Sequence, residues 1–280
     1  MDTPWVHIVG GGLAGLSLAR EIARFPHLPG RVVISESRKD YTNDRTFSFW
    51  LRKDQQAFLK PQSTHRAWSI GDANSQRVMV GDTYHYGTRS AESFYTDAMQ
   101  IIAAHPQIEW RHESVDFAPT AQHVFDSRPP NLKSFEVTQS FHGIVAKTRH
   151  PHGIEHVSLM DDLKVTDNGI RFRYLIPLSD DHMLVEHTDF TSKATEFAVL
   201  RDANEAWLTH TFTTQWECIR TEQAHIPMGV RPIQEHFGIP IGTRGAMARD
   251  ATGYSYVRTQ YWAQRAAAQL IRERKCDPYH

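Results

Sequence analysis

The segment from Trp5 to Glu36 constrains the fold more than any other part of the chain. WVHIV at 5–9 is a short aromatic and β-branched run that stops abruptly at glycine, which marks a buried strand. GGGLAG at 10–15 then fits GxGxxG, and from Leu13 to Phe25 the apolar residues Leu16, Ala19, Ile22 and Ala23 recur at helical spacing. RVVISE at 31–36 reads as the next parallel strand and ends in Glu36, about twenty residues beyond the motif. Each part has a physical duty. Gly10 permits the tight turn, Gly12 lets the backbone approach a pyrophosphate, and Gly15 lets the helix pack on the strand. The helix start at Leu13 and Ala14 offers unpaired N–H groups and a positive dipole end to phosphate oxygens. Glu36 is placed to accept hydrogen bonds from ribose hydroxyls. A GxGxxG alone has many uses, but strand, motif, helix, strand and acid in register point to dinucleotide binding. FAD and NAD both remain open on this unit alone.

Composition narrows the partners. Among 280 residues, 31 Lys+Arg stand against 32 Asp+Glu, a net charge of −1 that gives no electrostatic footprint for nucleic acid. The apolar stretch 6–19 is broken by His7, the glycines and Ser17, too short and too Gly-rich to span a bilayer, and no charged leader precedes it. A cytoplasmic protein with at most peripheral membrane contact is expected. Cys218 and Cys276 supply neither a disulfide framework nor a cysteine metal site. The 17 histidines show no HExxH spacing, and His150-Pro151-His152 is a weak hint only, so no metal is expected.

Beyond the first unit, Arg45 stands before the aromatic run Phe47, Phe49 and Trp50, placed to reach a phosphate or a flavin. Residues 90–104 make an amphipathic helix, and 108–113 and 123–126 read as strands. DSRPP at 126–130 breaks regular structure and is the best crossing between domains. From Phe135 onward, short strands at 140–146, 158–161, 170–178 and 182–188 alternate with turns, the pattern of an antiparallel sheet over a substrate pocket. A helix follows at about 196–208. A Gly-rich return through Gly242, Arg244, Gly253 and Tyr254 leads into a long closing helix, 256–274, whose start again faces a cofactor. The expected fold is α/β. A Rossmann-like dinucleotide domain (1–62, 88–130 and 238–280) carries an inserted antiparallel substrate domain (63–87 and 131–237), the architecture of flavin monooxygenases.

Several motifs in order resemble the lycopene β-cyclase family of FAD-binding carotenoid cyclases. DRTFSFW at 44–50 resembles its N/D-x-T-W-S-F-H segment, QSFHG at 139–143 its Q-x-F-x-G strand, and HPHG at 150–153 has a close counterpart. LMD at 159–161 resembles the family's MD strand, RFRYLIPLS at 171–179 resembles RFxYxLPLS, and LVEHT at 184–188 stands where L-I-E-D-T is usual. Ile226-Pro227 and TGYS at 252–255 resemble the closing motifs. Two departures stand out. His187 replaces the usual aspartate, and the chain stops soon after the TGYS helix where family members carry a further helical segment.

The resemblance implies FAD, active in its reduced form with NAD(P)H as a candidate reductant. It also implies a non-redox reaction on a small hydrophobic polyene. An acid protonates the terminal alkene, the next double bond captures the cation, and proton loss leaves a ring. Glu186 falls at the family's catalytic glutamate, with His187 as the next candidate. The chemistry needs a carboxyl that stays protonated near neutral pH, as an apolar pocket achieves. Phe47, Phe49, Trp50, Phe172 and Tyr174 are candidate pocket linings, and Asp126 and Arg244 fall where related flavoproteins carry further cofactor contacts. Two alternatives stay open: an FAD-dependent monooxygenase on the same scaffold, and a polyene-binding protein without activity. The ending at 275–280 is read as lacking a cover for a long polyene, so that a shorter or more polar substrate, or a second copy of the chain completing the pocket, is expected.

Overall fold

A computed structural model describes residues 3–130, 137–229 and 237–273. The chain runs β1 (Val6–Val9), α1 (Leu13–Ala23), β2 (Val32–Ser35), β3 (Thr46–Arg52), α2 (Gln56–Leu59), β4 (Ser63–His65), β5 (Ala67–Gly71), β6 (Gln76–Val80), β7 (Tyr84–Ser90) and α3 (Ala91–Ala103). It continues through β8 (Ile108–Arg111), β9 (His123–Asp126), β10 (Val137–Thr148), β11 (Val157–Thr166), β12 (Gly169–Pro177), β13 (His182–Thr191), α4 (Phe197–Phe212), β14 (Trp216–Met228), β15 (Ile239–Pro240) and α5 (Tyr256–Glu273). Two units result. One takes Met1–Thr42, Glu92–Ser134 and Gly229–His280, the other Asn43–Ala91 and Phe135–Met228. The expected boundary put 43–62 and 88–91 with the dinucleotide part. They belong instead to the second unit, because β3 pairs antiparallel with β7 from Thr46↔Ser90 to Arg52↔Tyr84. Cys276 and the chain end at 274–280 lie outside the described residues, as does Phe135.

The first unit is a five-stranded parallel sheet in the order β15-β9-β1-β2-β8. Its strands are short and buried throughout, as VHIV and VVIS show, because a parallel sheet covered on both faces leaves no polar side to alternate. Helix α1 is buried along nearly all its length and packs against α5. Its two buried charges are therefore paired. Arg20 donates to Glu21 at 2.8 Å and to Gln260 of α5 at 2.7 Å, and Gln260 in turn donates to Ser17 at 2.8 Å.

The second unit holds a seven-stranded sheet, β14-β10-β13-β12-β11-β5-β6, and a three-stranded sheet, β3-β7-β4. The large sheet is antiparallel except where β11 meets β5. One of its faces packs under α4, where Ile144, Ala146, Leu175, Met183, Val185 and Leu208 form an apolar cluster. Side chains alternate along a strand, so the residues between these point to the other face. That other face carries Glu186.

Candidate active site

At the C-terminal edge of the parallel sheet, β1 runs into Gly10 at φ +97°, a conformation that favours glycine. A Cβ at Gly15 would overlap the Gly10 carbonyl oxygen, so α1 settles on the turn only because position 15 has no side chain. Gly12, the N-cap of α1, differs. A Cβ there would meet nothing within 4 Å, and no side chain caps the first turn at Leu13 and Ala14. Open space before uncapped N–H groups is what a pyrophosphate requires. Glu36 follows β2, its carboxylate oriented by the Gly11 N–H (2.6 Å) and the Arg38 N–H (2.8 Å), with lone pairs left over for ribose hydroxyls. Sequence reasoning missed two neighbours. The Tyr41 hydroxyl and the Arg38 guanidinium both donate to the Gly11 carbonyl, at 2.9 and 3.1 Å, and burial pushes the Tyr41 phenol up to about 12.

Further round the same edge, Gly242 (φ +67°) brings the loop after β15 against the start of α1: a Cβ there would stand 3.0 Å from the Ala14 Cβ. Gly253 (φ +70°) and Tyr254 lead into α5. Asp126 and Arg244 do come together, but on each other. The buried Asp126 carboxylate accepts Arg128 Nε and Nη2 at 2.9 and 2.8 Å, and lies 3.6 Å from Arg244 Nε. Arg244 donates to the Arg128 and Pro129 carbonyls. These contacts tie both side chains to the loop after β9.

In the second unit one row of the large sheet reads Tyr174, Glu186, Gly143, Glu222 across β12, β13, β10 and β14. All four are in direct register, so their side-chain directions share one face. Glu186 and Glu222 are both buried and face each other across the intervening Gly143, where a Cβ would stand 3.3 Å from Glu186 Oε2 and 3.0 Å from Glu222 Cγ. Burial, then the neighbouring Glu222 carboxyl, raises Glu186 well above the ordinary carboxylate range. Thr188, two residues along, donates weakly to it at 3.3 Å. Glu222 is also raised by burial, against the opposing pull of Arg220. Arg220 Nη1 donates to it at 2.5 Å, and the Thr46 hydroxyl, itself 2.5 Å from Arg220 Nη2, donates to it at 3.0 Å.

The remaining expected residues separate into groups. Phe172 and Tyr174 share the Glu186 face, in edge contact with centroids 5.1 Å apart, and Phe190 stacks on Phe172 at 5.7 Å. His187 does not accompany Glu186. Adjacent strand residues face opposite ways, and His187 turns under α4, where its Nδ1 lies 2.8 Å from Asn204 Oδ1. Asn204 Nδ2 donates onward to the His142 carbonyl at 2.6 Å. On β3, Phe49 is core, whereas Trp50 faces the other way onto Trp68 and Tyr86. Phe47 falls in the Phe49 phase, so these three aromatics do not line one surface. Arg45 pairs with Asp44 at 2.9 Å, and its charge acts on the Glu222 carboxyl. Glu222 and Arg220 are the neighbours of Glu186 that the sequence reading passed over. Counting back by twos from the buried Met228 through Ile226 and Ala224 would have placed both on the inner face.

A family model described as lycopene cyclase protein matches residues 114–278. The chain belongs to the lycopene cyclase family. Among curated members, the lycopene beta-cyclase of Pseudescherichia vulneris is 30% identical over 200 residues, covering 66% of this chain and 51% of that protein. That of Paracoccus sp. is 28% identical over 128 residues, covering 42% and 32%. The chain thus spans about half the length, or less, of the lycopene cyclase relatives it matches. Among solved structures, a geranylgeranyl bacteriochlorophyll reductase-like protein from Thermoplasma acidophilum superposes with a TM-score of 0.70 at 11% identity, over 98% of this chain and 80% of that one. PqsL, a probable FAD-dependent monooxygenase from Pseudomonas aeruginosa, gives 0.58 at 14% identity, over 98% and 88%. At such identities the likeness is one of fold: this lycopene cyclase family member has flavin-monooxygenase-like α/β architecture.

Proposed function

We propose that the chain binds FAD and cyclises the end of a linear polyene without net redox change, with Glu186 as the proton donor. The observation that carries this reading is a buried carboxyl, raised well above the carboxylate range, on a sheet face shared with Phe172 and Tyr174 in a member of the lycopene cyclase family. The FAD pyrophosphate would lie against the Gly10 to Gly15 turn and the ribose against Glu36, for which the open space at Gly12 leaves room. Reduced FAD would supply an electron-rich ring that offsets developing positive charge and is itself unchanged over turnover.

The protein's own residues do the rest. The Glu186 O–H bond breaks as a C–H bond forms at the terminal alkene carbon, leaving a tertiary cation. The neighbouring double bond closes the ring on that cation, and the faces of Phe172 and Tyr174 stabilise positive charge. A ring C–H then gives its proton back to the carboxylate, so no proton is gained or lost. Burial keeps water away from the cation and keeps the acid neutral until it is used. Glu186→Gln keeps shape but removes the acid. With lycopene under anaerobic reducing conditions its turnover should fall about 10²–10⁴-fold while flavin content stays unchanged. A loss under about threefold would remove Glu186 from the role. Oxygenated products from an aerobic NAD(P)H incubation, in place of cyclic isomers, would replace the reading with a monooxygenase.

A further inference from the structure

The glutamate pair contains one residue that the cyclase chemistry has not used. Glu222 lies on edge strand β14, four residues before Ile226, and is as buried as Glu186. Its oxygens are not idle. Arg220 and Thr46 both donate to Oε2, so this carboxyl is fixed in place by one cation and one hydroxyl. Glu186 accepts one weak hydrogen bond, from the Thr188 hydroxyl, and faces Glu222 across Gly143; Arg220 hydrogen-bonds to Glu222 and acts on Glu186 through its charge alone. Two carboxyls that face each other away from water hold one proton between them more easily than none. The asymmetry of their partners says which one keeps it. A guanidinium favours the charged form at Glu222, leaving the proton on Glu186.

Position 143 makes the contact possible. Strand β10 runs between β13 and β14, and any side chain at 143 would project between the two carboxyls. A Cβ there would stand 2.9 Å from Leu184 Cδ1, 3.0 Å from Glu222 Cγ and 3.3 Å from Glu186 Oε2. The φ of Gly143 is not among the positive ones, so the glycine is needed for its space and not for its backbone.

We propose that Glu222 is a positioning residue for proton transfer: an arginine-clamped carboxylate, reaching Glu186 through the notch at Gly143, that holds the proton on Glu186 and receives the hydrogen bond of that acid between turnovers. Glu222 touches no substrate in this scheme. It acts by making the neutral form of Glu186 the resting one and by fixing which oxygen carries the hydrogen. Around the pair, β14 offers Glu222 and Arg220, β12 the Tyr174 phenol, β13 the Thr188 hydroxyl and β10 Gly143, while the start of β3 brings Thr46, with Arg45 before it, to Glu222. Removing the charge at 222 leaves Arg220 uncompensated beside Glu186. Both changes favour ionised Glu186, so its proton should come off at lower pH.

The test has two arms, and only the activity arm rests on the cyclase reading. Infrared difference titration of purified protein follows the carboxylic acid carbonyl band that disappears in Glu186→Gln. In Glu222→Gln its midpoint should fall by at least about one pH unit, a tenfold weaker hold on the proton. Gly143→Ala, which parts the carboxyls without removing either, should shift it the same way, and it serves where Glu222→Gln fails to fold. In the activity arm, turnover needs protonated Glu186, so the rate is lost as pH rises. The pH of that loss should move down in both variants, with KM unchanged. An unmoved band in both variants, or a uniform loss of rate with an unmoved pH profile, would overturn the proposal. A shifted band together with full turnover by Glu186→Gln would support the pair and remove the cyclase reading instead.

Discussion

At Gly12 the backbone faces open space and the uncapped first turn of α1, so a substitution there is felt by the ligand before it is felt by the fold. Gly12→Asp should leave a folded protein that purifies without flavin, since a carboxylate would meet the pyrophosphate both sterically and electrostatically. The measurement is the flavin absorbance of protein whose circular dichroism matches the parent, and full occupancy would withdraw Gly12 from the binding turn. Gly15 is the contrasting case, because a side chain there collides with the Gly10 carbonyl and not with a ligand. Both glycines were legible in the sequence, because each stands in a local pattern whose spacing carries meaning, whereas Glu186 was singled out through the family resemblance of LVEHT at 184–188. Glu222 was not. Its partner lies on β13, and nothing near 222 in the chain announces a carboxylate at 186.

Strand β14 explains why that half of the site was hidden at the level of elements. Its inward positions carry Arg220 and Glu222, while Ile219 on the outward phase is exposed. Two charged residues on the inward phase, set among the polar Thr221 and Gln223 of the outward phase, erase the alternation that identifies a half-buried strand, and only the terminal Ile226 to Met228 looks ordinary. By contrast β1, β2, α1 and α5 were legible almost to the residue, since their apolar runs face a core. Helix α4 shows what holds the other face of the same sheet. Fully buried Asn204 accepts from the His187 N–H at 3.1 Å and donates to the His142 carbonyl, bridging β13 to β10. Asn204→Ala strands those backbone groups away from water, at about 1–3 kcal/mol for each one left unmade. A lowered denaturant midpoint with unchanged flavin content is the expected result, and an unchanged midpoint would show that the bridge contributes nothing.

Across the whole molecule, buried titratable groups set opposing slopes of stability against pH. Burial lowers His7, His65, His142, His187 and His225 from the ordinary 6.5. The unfolded chain therefore binds more protons, and stability is lost as pH falls below about 6.5. Glu186 and Glu222 are raised from 4.5, so between that value and their folded ones the native state binds more protons. Stability then falls as pH rises, by about 1.4 kcal/mol per pH unit for each proton held. Above pH 4.5 the two slopes oppose each other, and thermal midpoints report their balance. Glu186→Gln should remove part of the destabilising slope, so that the midpoint falls less or rises more as pH increases above 4.5, and an unaltered profile would mean that the pair does not hold its proton in the native state. The chain's threading has another consequence, for synthesis. The second unit has all its segments once Met228 has left the ribosome, while the first still lacks β15 and α5. The parallel sheet begun at β1 is completed only at β15, when Pro240 pairs beside Asp126. Until then its apolar strands present an unsealed edge, so the nucleotide half is the client a nascent-chain chaperone has most reason to hold.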